Sequence, residues 1–159
     1  MTPQEQKNRQ LVADFWHYTA TGQPDKVITL LADDCVFKIG VGKSERVVPY
    51  HGVYQGLEEI KTYLKKSRKG RFRAECDVRP LVPDETPKPM KQEASPEGLL
   101  VQGNTVVGLA AIVELFPDRA PMDRCDAILL LKVDEDSGKI QFFQLFLDTA
   151  APMIAHLNR

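Results

Sequence analysis

The order of the predicted elements indicates an α+β domain, in which helices come first and an antiparallel sheet follows. Two N-terminal segments, 3–21 and 56–66, place apolar residues at helical spacing. From residue 72 onward the pattern changes to short runs of β-branched and apolar residues. A chain of 159 residues that is 43% hydrophobic can form one core, so we predict a single domain over residues 1–159.

The N-terminal half is predicted to contain three helices and one strand. The first helix begins at Pro3, with Thr2 placed to cap it. A second helix is predicted over 24–31, and a strand over 35–41 follows it. The third helix, 56–66, ends among lysines and arginines, which suit the negative end of a helix dipole.

Five further strands are predicted from alternating patterns and from glycine-containing turns between them. They span residues 72–82, 99–102, 105–116, 126–134 and 140–147. The insert 82–98 is rich in Pro, Glu and Lys and is predicted to be a long mobile loop. The sequence TAAPMIAHL after the last strand is expected to form a short helix.

Composition excludes several classes of function. With 21 basic and 22 acidic residues, no overall field favours nucleic acid or a membrane surface. The three cysteines lack the spacing of a zinc site or a disulfide framework, and there is no glycine-rich phosphate loop. No stretch approaches the ~20 apolar residues of a membrane span. We therefore expect a cytoplasmic protein that needs no metal and no cofactor.

Three segments resemble the nuclear-transport-factor-2-like (NTF2-like) superfamily: TGQPDKVITLLADDCVF, YHGVYQGLEEIKTYL and SGKIQFFQLFLD. This superfamily includes ketosteroid isomerases, SnoaL-like polyketide cyclases and limonene epoxide hydrolases. The resemblance implies a cone-shaped domain, with three helices packed on a strongly curved antiparallel sheet around a pocket. It also implies a homodimer. The fold hosts enzymes, binders and association modules, so it leaves the chemistry open.

The resemblance can be carried over residue by residue. The general-base aspartate of the isomerases falls on Ile39, and their oxyanion-holding tyrosine falls on Phe15. Their second oxyanion-holding group, a carboxylic acid kept neutral by apolar surroundings, falls on Asp126 and is retained. The Asp-Arg-Asp constellation of the epoxide hydrolases would fall on three apolar residues, Ala110, Ile112 and Leu145.

Two carboxylates are candidate catalytic groups. Alternation places Asp126 on the same face as Ile128 and Leu130, and if that face is inward its pKa should rise. The alternative is that Asp126 lies at the exposed start of its strand. A hairpin through residues 117–123 would bring Glu114 roughly opposite Asp126, but a slip of one residue would send it to the other face.

His51 is the third candidate, because histidine titrates near neutral pH and can act as a general acid or base. It precedes the third helix, between Tyr50 and Tyr54. A loop histidine is also often only a hydrogen-bonded bystander, and the two tyrosines suit a pocket rim or a capping contact equally well.

The predicted pocket is mainly apolar. Its lining residues are Phe15, Trp16, Phe37, Ile39, Tyr50, Tyr54, Ile112, Ile128, Leu130, Phe143 and Leu145. The outer face of the sheet is predicted to carry Leu129, Leu131, Phe142 and Phe146, which one domain cannot cover, so we expect a homodimer through that face.

Two functions from different classes follow. The first is binding of a small hydrophobic molecule, with possible isomerase-, cyclase- or dehydratase-type acid–base chemistry. The second is a non-catalytic association module that docks another protein through the outer face of the sheet.

Overall fold

A computed structural model describes residues 1–40, 42–69, 73–79, 99–115 and 125–147. The helices are α1 (Pro3–Ala20), α2 (Pro24–Thr29) and α3 (Gly56–Lys69), with a one-turn 3₁₀ helix at Lys43–Arg46. The strands are β1 (Leu31–Ile39), β2 (Gly52–Gln55), β3 (Arg73–Arg79), β4 (Leu100–Gln102), β5 (Thr105–Leu115), β6 (Cys125–Val133) and β7 (Ile140–Leu147). The predicted α+β class is confirmed. The 82–98 loop and the C-terminal helix lie outside the described residues, and the cone shape stays a prediction.

The seven strands in the described part of the chain form one mixed sheet, in the order β2-β1-β7-β6-β5-β3, with β4 paired to β5. The prediction of a purely antiparallel sheet is wrong at one position, because β1 and β7 are parallel. The last strand returns to lie between β1 and β6, and it runs in the direction of the first. No helix in the described part of the chain is long and apolar enough to cross a membrane.

The N-terminus of α1 is held by a reciprocal capping box, which confirms Thr2 as the predicted cap. The Glu5 amide donates to the Thr2 hydroxyl at 3.1 Å, and the Thr2 amide donates to the Glu5 carboxylate at 2.7 Å. The helix ends before Gly22, whose φ of 72° is a conformation that glycine adopts without steric cost. Phe15 on its buried face contacts Phe37 and Phe143 of the sheet, and Trp16 is buried as well.

The boundary between α2 and β1 differs from the prediction. The helix ends at Thr29, and the sequence LADD belongs to the strand rather than to the helix. Tertiary pairing overrides the local helical pattern here, because the Ile140 amide donates to the Leu30 carbonyl at 2.9 Å and Leu31 pairs with Ile140. The register then shifts, and the extra residues leave Asp33 and Asp34 exposed.

The inner face of the sheet is set by the register of β6 and β7. Leu129 pairs with Leu145 and Leu131 with Phe143, and all four side chains are buried. The prediction reversed the two faces of β6: Ile128 and Leu130 do not line the interior, and Leu129 and Leu131 are not on the outer face. The segment AILLL is apolar at every position, so alternation within β6 could not choose its face.

Candidate functional site

The centre of the interior is a cluster of aromatic rings contributed by four elements. Phe15 of α1 meets Phe37 of β1 edge-on, with ring centroids 5.9 Å apart, and meets Phe143 of β7 at 5.2 Å. Phe37 and Phe143 are 5.1 Å apart, and Tyr63 of α3 lies 6.0 Å from Phe37. Edge-to-face pairs of this kind are favourable beyond the area they bury, and these rings form the centre of the buried apolar core.

A second group of rings extends this cluster toward the segment before α3. The Tyr54 and Tyr63 rings are 5.0 Å apart, and the Tyr54 hydroxyl donates to the Tyr50 carbonyl at 2.8 Å. The Tyr50 ring in turn meets the His51 ring edge-on at 5.1 Å. Burial, with a smaller effect from the Glu45 carboxylate, raises the pKa of Tyr54. Its hydroxyl therefore stays protonated and acts as a donor that fixes β2 to the preceding turn.

His51 lies in a buried polar cluster rather than in an open loop. Its side chain is only 6% exposed, and its Nδ1 lies 2.9 Å from the hydroxyl oxygen of Ser44, which is 2% exposed. That hydroxyl donates to the Gly40 carbonyl at 2.5 Å. Gly40 itself is held at the end of β1 by a backbone hydrogen bond to Leu145.

The glycine at position 40 is required by both conformation and space. Its φ of 50° is unfavourable for other residues, and a Cβ there would lie 2.3 Å from His51 Nδ1. The ring therefore packs directly on the glycine backbone. Sequence reasoning missed Ser44 and Gly40 as members of this cluster. A glycine that ends an apolar strand, followed four residues later by serine, is the signal that could have indicated them.

Trp16 contributes a buried hydrogen-bond donor. The residue is 3% exposed, and its indole Nε1 has no hydrogen-bond partner in the described part of the chain. A buried donor without an acceptor is uncommon in folded proteins, and it marks a position where an acceptor from outside the chain would be stabilising.

Most of the predicted lining residues belong to one buried cluster. They are Phe15, Trp16, Phe37, Ile39, Tyr50, Tyr54, Phe143 and Leu145. Ile128 and Leu130 lie on the other face, as described above. The side chain of Ile112 lies outside the described part, although the backbone pairs Ile112 with Cys125.

The two candidate carboxylates are not directly opposed. The register pairs Asp126 with Ala111, and it pairs Glu114 with Ala74 of β3. The expectation that Glu114 lies opposite Asp126 is therefore wrong. The argument for an inward Asp126 assumed that Ile128, on the same face of β6, points into the interior. Ile128 is 45% exposed, so that assumption is wrong. The side chains of both acids lie outside the described part, so their catalytic roles stay predictions.

The Cys35 thiol, which is buried in β1, offers little chemistry. Burial, with a smaller effect from Asp34, raises the pKa of the Cys35 thiol to about 12, so this thiol is a poor nucleophile at neutral pH. Among the described residues, no group of His, Cys, Asp and Glu side chains is arranged to hold a metal ion.

A separate open groove, with a volume of about 400 Å³, lies on the outer face of the sheet. Its lining mixes charged, amide and apolar side chains: Asp34, Val36, Gln55, Lys132, Gln141 and Phe142. The Lys38 ammonium beside it lies 5.6 Å from the centre of the Phe142 ring, a cation–π distance. The groove is thus on the face opposite to the aromatic interior.

No protein-family model and no curated protein sequence matches the chain. Solved structures do match over nearly the whole length. An NTF2-like protein from Burkholderia xenovorans LB400 is 18% identical, with a TM-score of 0.68, and the match covers 96% of this chain and 97% of that one. The chain has the NTF2-like fold. A SnoaL-like protein from Jannaschia sp. CCS1, assigned as a polyketide cyclase, is 16% identical, with a TM-score of 0.70 and coverage of 98% and 95%. TerC, crystallised with polyporic acid, is 12% identical, with a TM-score of 0.72 and coverage of 96% and 99%.

Two interior positions of this NTF2-like fold are apolar where the resemblance to ketosteroid isomerases would place functional groups. Ile39 and Phe15 are each 1% exposed and pack in the core. Neither side chain can exchange a proton. Any acid–base chemistry in this chain must therefore use other groups.

Proposed function

We propose that this protein binds a small hydrophobic molecule against the aromatic interior, and that His51 supplies acid–base chemistry to it. The observation that carries the proposal is the continuous series of contacts from His51 through Tyr50, Tyr54 and Tyr63 to Phe37. These contacts place a buried imidazole at the edge of the large apolar cluster. Binding sites for small apolar molecules typically combine apolar and aromatic side chains with a few polar groups.

Two polar groups would orient the bound molecule. The Trp16 indole can donate to an oxygen of the ligand, and this would satisfy a buried donor that has no acceptor among the described residues. His51 can exchange a proton with the ligand. Glu114 remains a candidate for a second catalytic group, and Asp126 remains one only through the resemblance to ketosteroid isomerases. Cofactor-free isomerisation, cyclisation or dehydration needs only such positioned acids and bases.

The similarity of fold supports this class of function. One protein of the same fold is assigned as a polyketide cyclase, and another was crystallised with polyporic acid. Both descriptions concern small organic molecules. The substrate of the present chain is proposed to belong to the same broad class: apolar, and carrying at least one oxygen.

Binding can be tested by native mass spectrometry of freshly purified protein, compared with its denatured mass. We expect a small-molecule adduct that is lost on denaturation. Trp16 is the only tryptophan, so titration with the released molecule should also change tryptophan emission saturably. A protein without adduct, whose emission no apolar oxygen-containing molecule changes, would contradict the binding proposal.

Turnover can then be tested with matched variants. His51→Gln and Asp126→Asn keep similar shapes and remove the titrating groups. If His51 is the catalytic acid–base group, its variant should bind the ligand normally and lose roughly 10²–10⁴-fold in turnover. An unchanged rate in His51→Gln would remove His51 from the mechanism. An unchanged rate in Asp126→Asn would likewise remove the Asp126 carboxyl group.

Association through the outer face is the second candidate function, and a specific observation favours it. Apart from Met1, the large apolar side chains that are exposed in the described part are Val53, Leu100, Ile128 and Phe146. Ile128 pairs directly with Phe146, and Val53 pairs with Lys38 of the same outer face. Exposed apolar residues concentrated on one face of a sheet indicate a contact surface.

A second copy of the chain is the proposed occupant of that surface. Light scattering after size exclusion should then give a dimer for the natural chain and a monomer for the double variant Ile128→Lys, Phe146→Glu. Gln10→Lys, on an exposed position of α1, is the matched control and should remain dimeric. A natural chain that is monomeric at all concentrations would contradict the homodimer.

A further inference from the structure

We infer that Ser44 is a positioning residue that fixes the tautomer of His51, so that the neutral ring carries its proton on Nδ1 and accepts protons at Nε2. The inference deepens the proposed role of His51, but it is derived from the geometry of Gly40, Ser44 and His51 alone. It is also testable without a ligand.

The hydrogen-bond pattern of the Ser44 hydroxyl decides the direction of each contact. A carbonyl oxygen can only accept, and the Gly40 carbonyl lies 2.5 Å from Ser44 Oγ. The single proton of the hydroxyl must therefore point to Gly40. If it pointed to His51 instead, two oxygen atoms without a proton between them would be held at this short distance, which is strongly unfavourable.

The contact between Ser44 and His51 then has one possible donor. With its proton committed, Ser44 Oγ can only accept, and His51 Nδ1 lies 2.9 Å away. Nδ1 must therefore carry a proton in the neutral ring as well as in the cation. It follows that neutral His51 has its lone pair on Nε2, an atom that is also buried.

The surrounding backbone holds the ring in this orientation. The imidazole packs on Gly40, where a Cβ would lie 2.3–2.8 Å from three ring atoms, and Tyr50 contacts the ring edge-on. The His51 amide is bonded to the Val48 carbonyl at 3.1 Å. Ser44 thus does for this histidine what a carboxylate or carbonyl does in many catalytic sites: it sets which nitrogen is the base.

The chemical consequence concerns the substrate class. A substrate that reacts at Nε2 gives a proton to that nitrogen. The apolar, oxygen-containing molecules proposed above carry such a proton on a hydroxyl group or on a carbon next to a carbonyl. Protonation at Nε2 leaves the bond from Nδ1 to Ser44 in place. The ring can therefore pick up and return a proton without reorienting.

Long-range ¹H–¹⁵N correlation spectra of protein labelled at histidine nitrogens report the tautomer directly. The chain has three histidines, and His51→Gln assigns the signal of His51. At a pH where the ring is neutral, we expect the Nδ1–H pattern for His51. His17, whose ring meets the Tyr18 ring at 5.7 Å, is the internal reference and should show the Nε2–H form that imidazole prefers in water.

Two serine variants complete the test. Ser44→Ala removes the acceptor and should shift the His51 tautomer ratio toward Nε2–H by roughly fivefold or more. Ser44→Thr keeps the hydroxyl and should preserve the Nδ1–H pattern. An Nε2–H signal in the natural chain, or an unchanged ratio in Ser44→Ala, would overturn the assignment. If Ser44→Ala does not fold, the natural chain and Ser44→Thr still decide it. None of these outcomes depends on whether an apolar ligand binds.

Discussion

Two cross-strand pairs on β6 and β7 have nearly the same chemistry and opposite environments. Leu131 and Phe143 face the helices and are buried, whereas Ile128 and Phe146 face away and are 45% and 46% exposed. Each pair joins an aliphatic to an aromatic side chain on the same two strands. The comparison teaches that apolar character alone does not identify the core of this sheet. A face of the sheet belongs to the core only where other elements, here the helices, pack over it.

The largest expected effect comes from truncating the aromatic member of each pair. Phe143→Ala should lower the free energy of unfolding by about 3–5 kcal/mol, because it leaves a cavity between Phe15 and Phe37. Phe146→Ala, the matched control, should cost less than about 1 kcal/mol in the monomer. Urea denaturation followed by circular dichroism measures both. Equal losses would show that the outer face is covered as tightly as the inner one.

The next effect distinguishes the glycine beneath His51 from a glycine in an open turn. Gly40→Ala should destabilise the fold by about 2–4 kcal/mol, because it adds a Cβ 2.3 Å from the imidazole to an already unfavourable φ. Gly138 has a φ of 66° and no neighbouring atom within 4 Å of its Cβ position. Gly138→Ala therefore isolates the conformational cost, about 1–2 kcal/mol. Similar losses in urea denaturation would mean that the His51 ring moves aside easily.

A smaller, pH-dependent effect is expected from Cys35 on the inner face of β1. Burial raises its pKa from 9.0 to about 12, so the native thiol binds a proton that the unfolded thiol loses. Its contribution to stability is present below pH 9 and is lost as the pH rises toward 12, by up to about 1.4 kcal/mol per pH unit.

Cys35→Ala should therefore flatten the alkaline decline of the unfolding free energy, whatever its effect at neutral pH. Denaturation series at several pH values between 7 and about 10.5 measure the slopes. The same slope in both proteins would argue that the thiol is not shielded by the core.

The smallest effect is expected on the outer face, at the contact between Lys38 and the ring of Phe142. Lys38→Ala removes a partly buried cation–π interaction and should cost about 0.5–1 kcal/mol. Lys38→Arg, which keeps the cation, should restore most of the loss. A loss above about 2 kcal/mol would mean that this face is more desolvated than the exposure of its neighbours indicates.

Much of the fold could be predicted because local patterns and tertiary packing agree. The Thr2 cap of α1 and the spans of β4 to β7 follow from local chemistry and are confirmed within a few residues. On β1, true alternation placed Phe37 and Ile39 inward, and the burial pattern agrees. Where a strand alternates clearly, its buried face can be read from the sequence.

The candidate site was harder to predict, since its groups are distant in sequence or ordinary by type. His51 was one candidate among several, and nothing local showed that Ser44 would reach its ring. The carboxylates were paired through an assumed hairpin register, whereas β5 and β6 pair Asp126 with Ala111. A register is a property of two strands together, so neither strand can specify it alone.

The α+β organisation and the family resemblance were determined by the sequence alone. Both follow from helix caps, turn glycines and alternating strands, which depend on only a few neighbouring residues. The face of β6, the end of α2 at Thr29, the parallel neighbours β1 and β7, and the buried contact of Ser44 with His51 arose from long-range contacts. These features depend on which surfaces meet in three dimensions. A segment such as AILLL can bury either of its two faces, and the strands and helices that pack against it determine which face is buried.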